Sequence, residues 1–77
     1  MQYLFNVITS ISDMPIFYGI LQISENEYLA KPKDTRFQSF KFLKENGNWT
    51  SENNHDLLQA KQIGEKIDRL CVSAINN

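Results

Sequence analysis

The apolar residues of this chain change their spacing once. Up to Trp49 they fall in short runs that alternate, as in Tyr3, Phe5 and Val7, or fill both parities, as in Ile16 to Ile23; from Leu57 onward a stripe recurs at every third or fourth position. Alternation sends successive side chains to opposite faces of a sheet, whereas steps of three and four line one side of a helix. The order is therefore sheet first and helix last. A length of 77 residues leaves room for one domain built that way, with a small core.

The strand half divides at its turn residues. Tyr3, Phe5, Val7 and Ile11 lie at period two in a segment rich in β-branched and aromatic residues. Ser12 to Pro15 is a turn signal, and Pro15, which lacks an N–H, marks an edge or a strand start. Ile16 to Ile23 is apolar on both parities, as in a strand covered on two faces; Gly19 within it hints at a bulge or a close neighbour. Tyr28 to Lys31 is a short third strand, and Phe37 to Glu45 a fourth. Asn46-Gly47 is the strongest short hairpin signal, because a type I′ turn needs positive φ at both positions. It pairs Glu45 with Asn48 and Lys44 with Trp49. The spacing predicts strands over about 2–11, 16–23, 28–31, 37–45 and 48–51 and a helix over about 55–75.

Ser51, Asn53 and Asn54 all suit the helix N-cap. The apolar stripe runs through Leu57, Ala60, Ile63, Gly64, Ile67, Leu70, Cys71 and Ala74. Gly64 costs about 1 kcal/mol relative to alanine in a helix interior, which implies that something packs close to the backbone there. The fold class is α+β: an antiparallel meander of four or five strands with one C-terminal helix packed across one face, in two layers.

Such a helix covers one face only. With simple registers Ile11 faces Ile16, Val7 faces Ile20, and Ile23 faces Tyr28. One face then carries Phe5, Val7, Ile11, Ile16, Tyr18, Ile20 and Leu29, and the other Leu4, Ile8, Phe17, Leu21, Ile23, Tyr28 and Ala30. Both are apolar. Either the sheet curls over its second face or a partner covers it, since monomers rarely expose large apolar patches.

Composition excludes several classes. At 42% hydrophobic and 22% charged the chain is neither disordered nor low-complexity. A net charge of −1 gives no global pull toward nucleic acid or an anionic membrane. One cysteine and one histidine rule out an internal disulfide and a Cys-rich zinc site, and no metal or cofactor is expected. The first residues lack the pattern of a signal peptide, no run is long enough to span a membrane, and the expected location is the cytoplasm. The Asn48-Trp49-Thr50 sequon is then a chance match.

No catalytic constellation is expected either. His55 reads as a solvated residue at the helix start, for Asp56 beside it does not face it on a helix. Cys71 reads as a small buried hydrophobe near a helix C-terminus, where a thiolate is disfavoured. The carboxylates fall mostly in turns, and the phosphate-loop, dinucleotide and hydrolase motifs are absent. The expectation is a non-enzymatic protein-interaction domain that binds another protein or a second copy of itself. Its interface candidates are Tyr18, Phe40, Phe42 and Trp49. The alternative is a single-stranded nucleic-acid or phosphate binder using the basic, aromatic segment 31–44. There Lys31, Lys33, Arg36, Lys41 and Lys44 would track phosphates while rings stack on bases.

Overall fold

The structure is a computed structural model. It describes residues 1–11, 13–53 and 56–76, with backbone only at residue 11 and at 71–76. His55 and the candidate cap Asn54 lie outside the described residues, as does the Cys71 side chain.

Five strands precede one helix: β1 (Gln2–Ile11), β2 (Met14–Gln22), β3 (Glu27–Pro32), β4 (Phe40–Glu45), β5 (Asn48–Ser51) and α1 (Leu57–Asn76). The strands form one antiparallel sheet in the order β1-β2-β3-β4-β5, so each pairs only with its neighbours in sequence. This is the expected meander with a C-terminal helix.

The last hairpin follows the turn chemistry. Asn46 and Gly47 take φ of 53° and 83°, and Glu45 pairs with Asn48 and Lys44 with Trp49. The earlier registers differ from expectation. Val7 lies opposite Tyr18 and Ile11 opposite Met14, two places from the expected pairing, which leaves the faces unchanged. Gln22 lies opposite Tyr28 and Ile20 opposite Ala30. This one-residue difference moves Tyr28 and Ala30 onto the face of Ile20 and sends Leu29 to the other. The irregularity sits in β1, between Tyr3 and Phe5, and not at Gly19.

Several element boundaries also move, most of all the starts of β2 and β4. β2 begins at Met14 and includes Pro15. β3 reaches only as far as Tyr18 on its β2 partner, so no neighbour on that side asks for the N–H that proline lacks. β4 begins at Phe40 instead of Phe37 because a turn consumes the residues before it. The Phe37 N–H donates to the Asp34 carbonyl (3.1 Å), and the Arg36 N–H to Asp34 Oδ1 (2.9 Å).

The core lies between the sheet and α1. Val7, Ile16, Tyr18, Ile20, Tyr28, Ala30, Phe40, Phe42 and Trp49 enter it from the strands, and Ala60, Ile63 and Ile67 from the helix. Its rings form a chain. Tyr18 meets Phe40 edge-on at 5.6 Å, and Phe40 meets Phe42 at 5.9 Å. Phe42 and Trp49 are 5.7 Å apart, with Tyr28 stacked on Phe42 at 5.5 Å. Such pairs contribute about 0.5–1.5 kcal/mol each beyond burial. Gly64 is the close approach implied by the sequence. A Cβ there would fall 2.2 Å from Trp49 Cδ2. Leu70 departs from the stripe and is exposed.

Both edge strands, β1 and β5, run close to α1. Glu65 borders the groove beside β5 and the groove beside β1 alike. The sheet therefore curls around the helix as an open trough. Its other face is left convex and, among the described residues, uncovered.

Candidate protein interaction face

The four residues expected at an interface are in the core. Tyr18, Phe40, Phe42 and Trp49 are at most 7% exposed, because their parity places them under α1. Trp49 is further fixed by its Nε1–H, which donates to Asp68 Oδ2 at 3.0 Å. They hold the fold together, and the exposed apolar side chains of the sheet lie on the opposite parity.

That parity carries Ile8 directly opposite Phe17, Leu21 opposite Leu29, and Glu27 opposite Leu43. Ile8 is 59% exposed, Phe17 51% and Tyr3 53%. The Tyr3 ring lies over Gly19, with Cε2 3.7 Å from where a Cβ would stand. Next to Phe17 is a hollow of about 550 Å³. Met14, Pro15, Phe17 and Phe37 give it apolar walls, and Lys33 and the Asp34–Arg36 pair stand at its rim. An exposed aromatic thus stands beside an apolar hollow whose lining also carries charge.

The basic residues divide. Lys44 points to the helix side, donating to Asp68 Oδ1 at 2.7 Å with its ammonium 5.7 Å from the Trp49 ring centroid. Arg36 is held by Asp34 through Nε and Nη2, the latter at 2.6 Å. The same hydrogen bonds hold the Asp34 carboxyl down at about 2. Lys31, Lys33 and Lys41 remain exposed, and Lys31 and Lys41 share the convex face by register. Of the rings interleaved with these lysines and expected to stack on bases, Phe40 and Phe42 are buried and Phe37 is half-buried.

Among the described residues no group of three or more His, Cys, Asp or Glu side chains is placed to hold a metal ion. No helix there is long and apolar enough to cross a membrane. Sequence reasoning put Ile8 and Phe17 on a shared face but did not single them out. The signal was their parity, opposite to that of Val7 and Tyr18.

Comparison with protein families, characterised proteins and solved structures finds no match to this chain.

Proposed function

We propose that this is a non-enzymatic protein-interaction domain of the cytoplasm that docks through the convex face of its sheet, with Phe17 and Ile8 at the centre. The observation that carries this reading is the uncovered Ile8–Phe17 pair beside its apolar hollow. Burying an exposed side chain of this size in an interface stabilises a complex by about 1.5–3 kcal/mol, and aromatic anchors dominate such interfaces. The curl favours a different protein over a second copy, because two convex surfaces meet over a small area.

The test uses the full chain and its Phe17→Lys variant. Light scattering over a range of concentrations gives the oligomeric state, and affinity capture from a cell extract gives partners. A dimer dissolved by Phe17→Lys, or a protein retained by the wild type and lost by the variant, supports the reading. A wild type that stays monomeric and retains nothing the variant loses removes it.

The second reading, a single-stranded nucleic-acid binder, draws on one specific observation. Exposed rings, Tyr3 and Phe17, share the convex face with Lys31 and Lys41. Fluorescence anisotropy with a labelled oligonucleotide decides it: salt-sensitive binding lost in Lys31→Glu supports it, and no binding at low salt excludes it.

A further inference from the structure

β1 is an edge strand and the longest strand, ten residues from Gln2 to Ile11. At about 3.4 Å per residue it is roughly 30 Å long, against a longest molecular extent of 37 Å. Proteins usually guard such an edge with charge, proline or shortness. β5, at the other edge, is four residues long. β1 has no charged residue and no proline; its one irregularity lies near its start, between Tyr3 and Phe5.

The direction of its backbone groups follows from β2. The Lys33 N–H donates to the Phe17 carbonyl at 2.9 Å, so Phe17 directs its backbone toward β3. Ile8, opposite Phe17, therefore turns its own N–H and C=O outward. Antiparallel alternation gives Asn6 and Ser10 the same outward direction. Among the described residues no strand pairs with these groups.

Beside them runs a groove of about 320 Å³, with Val7, Ile8 and Thr9 on one wall and Gln62, Lys66 and Arg69 on the other. Glu65 also borders it, leaving the helix wall with one net positive charge. The Lys66 ammonium is held over the Phe5 ring, 5.6 Å from its centroid. The Thr9 hydroxyl is buried at this groove without a hydrogen-bond partner among the described residues.

We infer that an extended segment of another protein, alternating acidic and apolar residues, adds to the outer edge of β1 as a sixth strand. This rests on the reading of the chain as an interaction domain and adds the class of its partner. In strand addition the main chain supplies affinity and alternate side chains supply specificity. One parity of the added strand would point toward Lys66 and Arg69, where carboxylates fit. The other would lie beside Ile8 on the convex face, where apolar side chains fit. A second copy is the poorer occupant. Its own Lys66 and Arg69 would approach these across the two-fold axis, and like charges brought together disfavour that pairing.

The probe is a capped octapeptide alternating glutamate and valine, titrated into the full ¹⁵N-labelled chain. Binding is expected to shift the amide signals of Asn6, Ile8 and Ser10 and slow their hydrogen exchange. The double variant Lys66→Glu, Arg69→Glu is expected to bind this peptide about tenfold more weakly or worse and to accept its lysine counterpart. Ile8→Pro removes an outward N–H at an edge, where proline is tolerated; it is expected to lose binding while its circular dichroism stays native. Shifts confined to the Phe17 face, indifference to charge reversal, or no shift at millimolar peptide overturn the inference. So does concentration-dependent protection of the same amides without peptide, which assigns the edge to a second copy. If the peptide fails while a partner sensitive to Phe17→Lys is still retained, strand addition falls and the interaction reading stands.

Discussion

At the scale of single residues, the contact between Gly64 and Trp49 sets the distance between layers. Gly64→Ala gains about 1 kcal/mol of helix propensity but thrusts a methyl into the indole, at 2.2 Å from Cδ2. Overpacking of this kind costs typically 1–3 kcal/mol, and the ring is backed by Phe42 and Tyr28. Urea denaturation should show a net loss, and the loss should shrink when Trp49→Leu is combined with it. Asp68 is the polar counterpart. Burial works against its charge, and hydrogen bonds from Lys44 and Trp49 outweigh that, so its pKa lies below the ordinary 3.8. A folded pKa below the unfolded one stabilises fully above the ordinary value, and the contribution fades as pH falls through the folded value. Asp68→Asn keeps an acceptor for Trp49 and removes the charge. Its deficit in urea midpoint should be present at neutral pH and narrow in acid. Asp68→Ala, which leaves the indole N–H without a partner, should cost about 1–3 kcal/mol. An unchanged deficit across the acid range would mean that the carboxylate charge contributes nothing.

At the scale of elements, the two faces of the sheet should answer substitution differently. Phe42→Ala on the helix face removes a fully buried ring and should cost about 3–5 kcal/mol, much of what a domain this small possesses. Phe17→Lys and Ile8→Lys on the convex face should stay within about 0.5 kcal/mol. Thermal melts of the three variants check this, and a large loss in Phe17→Lys would mean the convex face carries stability. Legibility in the sequence also varied by element. The β4–β5 hairpin was readable because Asn46-Gly47 fixes both turn dihedrals and hence the register. The β2–β3 connection has no such signature. There the N–H groups of Ile23 and Ser24 both reach the Glu27 carbonyl, at 2.9 and 3.2 Å, and nothing in the residue types sets that register. One residue of slip exchanged Leu29 for Tyr28 and Ala30, and with them the means of telling the covered face from the open one. Phe40, Phe42 and Trp49 were legible as a cluster, but only the position of the helix shows that the cluster is the core. For the same reason Ile8 and Phe17 were legible as neighbours and not as a site.

At the scale of the whole molecule, the helix is what makes the sheet a protein. Without α1 the core face of the strands would stand open, and a meander with one uncovered aromatic face has too little burial to offset its ordering entropy. A chain truncated before Leu57 should lack native near-ultraviolet dichroism and sediment as aggregate, whereas the full chain refolds. A truncated chain that stays monomeric with a fixed tryptophan environment would show the sheet to be self-sufficient. The order of the strands has a further consequence, for the chain as it is made. Each strand pairs with the one synthesised just before it, so strand contacts can be sampled in step with translation, but they become stable only once α1 is available. The residues that shield the sheet come last. For as long as α1 is still in the ribosomal tunnel, the emerged strands lack the burial to hold a stable sheet, and Tyr28, Phe42 and Trp49 stay exposed with Ile8 and Phe17. A chaperone that binds aromatic strands would find its best substrate in that interval, and a pause in decoding before Leu57 would prolong it.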